Sequence, residues 1–287
     1  MAYNDVNTGS VASVANTGAK STHIEGKLKL PLISNGYQYD NVAAYKTFAA
    51  LRAQIVAKTI VPLYEAFALA DASTEDEKFE QGSFSFVTKK GVDKITYECY
   101  ITLQAYLALK SFEGSAYNEL HEITDKGELI GNYATDGVKV KGRAISSLLV
   151  TRTRSVDEKM AFVKVEINFA DKDDVSDAVI TTGDYDDTDV LRIHDLEYTI
   201  VSASSSALVV DVATAIGGVY PPSPLVVGDF VFTKDSDGSA QSLTLDSEAT
   251  GRYTFSGTGL VTGKLNSNGV LDETTILYEG VEAQVTI

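Results

Sequence analysis

The sequence predicts a mainly β protein: an α+β N-terminal domain of the sandwich or barrel type with one main helix, followed by a second β-sandwich. Three observations carry this. Residues 195–287 hold short β-rich runs at 208–210, 230–232, 243–245, 253–255 and 281–287, with turn residues roughly every 8–12 positions, the spacing of a sandwich. Residues 82–169 alternate apolar and polar side chains in strand-like runs divided by Gly-containing turns. Only 41–61 sustains a helical period, through Tyr45, Phe48, Leu51 and Ile55.

Taken in order, residues 1–22 are rich in Ser, Thr, Asn, Ala and Gly and read as a flexible arm. They lack the basic start and apolar stretch of a secretory signal. Residues 23–190 form the β-rich assembly domain. Residues 26–33 alternate Lys27, Leu28, Lys29 and Leu30, a short strand ended by Pro31. Asp40 or Asn41 caps the helix near 41–61, and Pro62 ends it by removing a backbone donor. Residues 63–71 add a further turn or two of helix, and 73–80 is a charged loop. Ser83-Phe84-Ser85-Phe86-Val87 and the run 92–103 flank Lys89-Lys90-Gly91 as a hairpin over 82–103. Residues 103–112 are helix-prone, with Gly114 as the stop. Asp125-Lys126-Gly127 joins strands at 119–124 and 128–133, and Asp136-Gly137 marks another turn. Longer strands follow at 144–153 and 161–169. Residues 171–189 carry eight aspartates against one lysine, and the domain boundary falls near 186–195. The sandwich domain is 195–287.

With 287 residues the chain is long enough for two domains. It has no apolar run long enough to span a membrane as a helix, so membrane insertion is not expected. Cys99 is the only cysteine, which excludes an internal disulfide and a Cys-based zinc cluster. It lies in a strand-like run and reads as a small buried hydrophobe. The net charge is −16. Residues 195–287 hold 12 acidic and 3 basic side chains, and 1–194 hold 28 and 21. Both halves are acidic, which disfavours nonspecific nucleic-acid binding.

Catalytic equipment is absent from the sequence. His23, His121 and His194 are scattered, without metal-ligand spacing, and His121-Glu122 does not continue into HExxH. There is no GxSxG elbow, and Gly251-Arg252-Tyr253 and Gly257-Thr258-Gly259 precede no helix that could hold a dinucleotide. Asp184, Asp186, Asp187 and Asp189 are numerous enough for calcium, yet the EF-hand pattern fails for want of its Gly and Glu. Asp235-Ser236-Asp237-Gly238 reads first as a hairpin turn. The expectation is no enzyme, no cofactor, and no catalytic, cofactor-binding or metal site. Fifteen tyrosines and no tryptophan point to half-buried sheet positions and subunit contacts.

Glu248-Ala249-Thr250-Gly251-Arg252-Tyr253-Thr254-Phe255 resembles the E–F corner of immunoglobulin-like domains, where an acid, a Gly and a Tyr precede strand F. Phe255 stands where a disulfide-type domain would have Cys, as in Cys-poor bacterial and phage versions. The segment 82–169 resembles virion structural proteins of tailed bacteriophages. The residues that carry this are the 83–91 run, Glu122-Ile123-Thr124-Asp125-Lys126-Gly127-Glu128-Leu129-Ile130-Gly131 and Thr135-Asp136-Gly137-Val138-Lys139-Val140-Lys141-Gly142.

The resemblance implies a tail-tube subunit that self-assembles by strand pairing, with the 82–103 and 144–169 strands forming the inner wall. Residues 1–22 or 71–81 would grip the next ring, and acidic side chains would face passing DNA. Its partners would be copies of itself and other virion proteins, with DNA as non-sequence-specific cargo. The Ig-like domain would touch host-surface glycans weakly. Such a protein is assembled in the bacterial host cytoplasm and resides in the virion. Alternatives are a head or connector accessory protein, or a non-catalytic surface adhesin or carbohydrate-binding protein built on the Ig-like module.

Overall fold

The structure is a computed structural model that describes residues 6–7, 26–81, 84–155, 160–171, 177–215, 218–221, 224–273 and 276–287. The chain is mainly β and divides into two compact units, Met1–Val190 and Leu191–Ile287. The expected arm over 1–22 lies outside the described residues except for β1 (Val6–Asn7). The expected turn at 154–159 is only partly described.

In the first unit, β2 (Leu28–Ser34) does not stop at Pro31. Pro31 sits in register with Glu122, and its carbonyl accepts from the Leu63 N–H at 2.9 Å. The nitrogen and carbonyl of a strand residue face the same side, so the N–H that Pro31 lacks lies toward Leu63 and the ladder that includes Glu122 loses no donor. Leu30, Leu32 and Ile33 are buried.

The long helix expected at 41–61 is two short ones, α1 (Val42–Tyr45) and α2 (Phe48–Val56). Asn41 caps α1, its side-chain oxygen accepting from the Ala44 N–H at 2.9 Å. Thr47 then turns extended, with φ −97° and ψ 122°. The carboxylate of Asp184 accepts the Phe48 N–H at 2.6 Å, and the Asp184 N–H donates to the Lys46 carbonyl. Tertiary hydrogen bonds thus replace helical ones at the break. Lys58, at φ +56°, reverses the chain after α2. Residues 60–62 form β3 (Ile60–Pro62), which pairs with β2.

The expected helical turn at 63–71 and loop at 73–80 are in fact β4 (Ala68–Asp71) and β5 (Glu77–Gln81). They are followed by β6 (Phe84–Lys89) and β7 (Lys94–Cys99). The expected 82–103 hairpin does not form. β6 pairs with β5, and β7 pairs with β4. These four strands make one long antiparallel excursion. Its two halves meet where the Thr74 N–H bonds the Val92 carbonyl and the Gly91 N–H bonds the Asp76 carboxylate. A Cβ at Gly91 would overlap the Thr74 carbonyl oxygen, so this glycine serves a close backbone approach and not a hairpin tip.

Next, α3 (Leu103–Lys110) is capped by the Thr102 hydroxyl, and Gly114 turns the chain at φ +68°. β8 (Glu119–Thr124) and β9 (Glu128–Tyr133) pair as the turn predicts. β10 (Val140–Lys141), β11 (Arg143–Thr153) and β12 (Phe162–Phe169) follow. Inside the aspartate-rich stretch lies a strand that the charge pattern hides, β13 (Ala178–Thr182), with Val179 and Ile180 buried.

The strands run in the order β1-β13-β9-β8-β11-β12-β7-β4, with β2 and then β3 joined to β8. β11 begins beside β8 and continues with β12, so it links two layers of a half-barrel. Between them lies a core including Ile33, Tyr97, Leu109, Leu120, Leu148, Val150, Val165 and Ile167. Each buried aliphatic side chain there contributes about 1.5–3 kcal/mol.

The second unit is a sandwich. Its strands are β14 (Ile193–Ala203), β15 (Ala207–Thr214), β16 (Phe230–Lys234), β17 (Ala240–Gln241), β18 (Thr244–Ala249), β19 (Arg252–Ser256), β20 (Gly263–Ser267), β21 (Val270–Glu273), β22 (Ile276–Gly280) and β23 (Ala283–Val285). One sheet has the order β18-β19-β15-β14-β22-β21, the other β17-β16-β20-β23. With the β21–β22 hairpin set aside, the strands follow the D-E-B-A and C-F-G order of a two-sheet sandwich, with β17 added beside C. Val210, Phe232, Phe255, Leu265 and Val285 fill the space between the sheets.

The tyrosine segment occupies a different corner from the one expected. Residues 248–255 span the β18–β19 hairpin, the D–E turn, where Thr250 and Gly251 have φ of +52° and +79°. The Tyr253 hydroxyl accepts the buried Leu225 N–H at 3.0 Å, 28 residues upstream. Phe255 therefore lies on strand E, and the comparison with a strand-F cysteine does not hold.

Candidate assembly surfaces

The residues considered for chemistry are not brought together. His23 lies outside the described residues. His194 is exposed on β14, its ring 6.2 Å from that of Tyr278. His121 on β8 is 1% exposed, with ring centroids 5.5 Å from Tyr45 and 6.0 Å from Tyr39. Neither of its ring nitrogens has a hydrogen-bond partner among the described residues. Burial pushes its pKa down to about 3, so it is neutral at pH 7. Burial also raises the hydroxyls of Tyr39, Tyr45 and Tyr185 above their ordinary range.

The aspartates close local turns. Asp186 accepts from the Thr188 N–H and hydroxyl, Asp189 accepts from the Asp186 N–H, and Asp237 accepts from the Ser239 N–H and hydroxyl. No group of three or more His, Cys, Asp or Glu among the described residues is placed to hold a metal ion. Cys99 is buried on β7.

What the first unit does present is a sheet with unequal edges. β11, β12, β7 and β4 form a continuous antiparallel run of four strands. Val163, Val165, Ile167, Tyr97 and Cys99 point to the core. Ser147, Leu149, Thr151, Lys164, Glu166, Lys94 and Glu98 alternate onto the other face. That face carries two lysines and two glutamates, with Lys94 and Glu166 paired at 2.6 Å.

All four residues of β4 are exposed, and β7 is its only strand partner among the described residues. The Ala72 N–H bonds the Lys94 carbonyl. By alternation, the backbone groups of Leu69 and Asp71 face away from the sheet. Leu69 is 39% exposed, and nearby Phe67 is 73% exposed, its ring 4.9 Å from that of Tyr100. An apolar edge of this kind is a template for pairing with another chain.

On the opposite side of the run, β11 is paired with β8 at Arg143 and Ala144 and bonded to the Asn118 carbonyl at Ile145, and beyond these its outer side is covered at Val150. The Val150 N–H donates to the Glu113 carboxylate at 2.6 Å, and Lys110 holds the same carboxylate at 3.2 Å. The hydrogen bond from Val150, with help from Lys110, holds the Glu113 carboxyl below its usual range. Nothing in the sequence near Glu113 signals this role, because the donor is 37 residues away.

The β5–β6 ribbon extends from the same sheet. Phe79 and Phe86 pair across it at 5.3 Å, both about half exposed. Its base is fixed by Arg143, which donates to Asp93, lies 3.8 Å over the Phe169 ring and reaches the Asp171 carbonyl. Asp93 also accepts from the Ser73 hydroxyl. Neither the protein-family models nor the curated proteins give a match to this chain.

Proposed function

We propose that the chain is a structural subunit of a tailed-phage virion that self-assembles through β-strand pairing, with the tail tube as its place. The observation that carries this reading is the exposed strand β4, paired only with β7 among the described residues, at the end of a four-stranded antiparallel run. In such a sheet the two edge strands, β11 and β4, run in opposite directions. A second copy related by rotation then places its β11 antiparallel to the first copy's β4, and the alternation continues from copy to copy. Head-to-tail pairing of this kind generates rings when the rotation closes, and closure removes every exposed edge.

The wall such a ring presents is the polar face bearing Lys94, Lys164, Glu98 and Glu166. The overall acidity of the sequence suggests an acidic lumen, but this face is charge-balanced, so the reading becomes a polar, neutral wall. DNA would pass it as cargo without a basic patch to hold it. The β5–β6 ribbon supplies the half-exposed Phe79–Phe86 pair for contact with a neighbouring ring. Two-stranded ribbons are marginal in water on their own, which favours a partner for it. The Ig-like unit serves as a display module, with weak host-surface glycan contact as its proposed use.

The test is sedimentation and electron microscopy of the purified chain across concentration. Wild type is expected to form rings or tubes, and Leu69→Lys, which places a charge on the edge, to remain a folded monomer. A wild type that stays monomeric at every concentration and salt refutes the reading, as does a Leu69→Lys variant that assembles normally.

A further inference from the structure

We propose that Glu113 is a removable cap on the β11 edge that restrains the free chain from pairing with the next copy. The inference rests on the assembly reading above and deepens it. Across the β11–β12 ladder, Leu148, Val150 and Arg152 share one parity, and Val150 donates outward to Glu113. Leu148, Val150 and Arg152 are therefore the residues whose backbone groups an incoming β4 would engage.

When that strand arrives, the Val150 N–H must bond a backbone carbonyl of the second copy, and the Glu113 carboxylate must leave. Until then the edge carries a charged side chain at its middle, a device that discourages edge pairing. Lys110, one turn before Glu113, holds the carboxylate in the capping position and remains its partner after release. β4 carries no comparable cap among the described residues. The asymmetry makes β4 the ready edge and β11 the gated one.

The test follows assembly of the full-length chain by light scattering. The wild type, Glu113→Ala and Glu113→Gln are compared at equal concentration. Loss of a hydrogen bond to a charged group is expected to shorten the lag of Glu113→Ala by roughly tenfold. Glu113→Gln, which keeps an oxygen acceptor but no charge, is expected to fall between the two. A second measurement uses the Leu69→Lys background, in which the chain is held monomeric. There, hydrogen exchange of the Val150 amide is expected to quicken on Glu113→Ala.

A folded Glu113→Ala variant with an unchanged or longer lag overturns the cap. Unchanged exchange at Val150 in the monomeric background does so independently of assembly. A wild type and a Glu113→Ala variant that both stay monomeric overturn the assembly reading together with the cap. Assembly of wild type at the variant's rate overturns the cap alone.

Discussion

His121 makes the first unit acid-labile in a way that can be isolated. The ordinary histidine pKa is 6.5, and burial among Tyr39 and Tyr45 lowers it to about 3 in the folded chain. The unfolded chain therefore binds a proton between those values that the folded chain refuses. Stability falls as pH drops below about 6.5, and the loss levels off below about pH 3. At about 1.36 kcal/mol per pH unit, the cost is roughly 2 kcal/mol at pH 5 and on the order of 4–5 kcal/mol at pH 3.

His121→Leu has similar volume and removes both the titration and two buried nitrogens that have no hydrogen-bond partner among the described residues. The variant is expected to be at least as stable as wild type at pH 7 and to gain about 2 kcal/mol on it by pH 5. Denaturant unfolding of both proteins at the two pH values reads this difference, and the surface carboxylates cancel in the comparison. NMR titration of the His121 ring should show no inflection between pH 8 and 4. An inflection near 6.5, or a stability difference that does not change with pH, refutes the reasoning.

Two other predictions concern hydrogen bonds across the fold. Asp184→Ala removes the acceptor for the Phe48 N–H at the start of α2 and is expected to cost about 1 kcal/mol in thermal unfolding; no change in melting would show that the helix break does not depend on it. Tyr253→Phe leaves the Leu225 N–H buried without its acceptor and is expected to destabilise the sandwich unit by about 1–3 kcal/mol. A change below a few tenths would mean that another acceptor replaces the hydroxyl.

The parts of the fold legible in the sequence are those whose partners are close along the chain. β8 and β9 follow from Asp125-Lys126-Gly127, where Gly127 adopts φ +70°. β11 and β12 follow from long alternating runs, and the Asn41 cap from its position before an apolar period. What was not legible depends on distant groups. The helix breaks at Lys46 and Thr47 because Asp184 reaches it from 136 residues away. Lys89-Lys90-Gly91 has the look of a hairpin tip, yet Gly91 is needed for close passage of Thr74. β13 is short and flanked by aspartates that mask its buried Val179 and Ile180.

The candidate surface was legible only as strand-rich segments. Which edge is open and which is covered depends on sheet order. β4 was expected to be helical, and its exposure follows from pairing with β7 alone. Glu113 is one carboxylate among 40 acidic residues until the fold brings Val150 to it. Net charge does not show how charge divides among faces, and the polar side of the four-stranded sheet carries Lys94 and Lys164 against Glu98 and Glu166.

Hydrogen exchange over 68–71, compared between free chains and assembled particles, tests the central claim most directly. The outward amides of Leu69 and Asp71 are expected to exchange quickly in the free chain and to become strongly protected on assembly. Particles in which this segment exchanges at the free-chain rate would contradict the account.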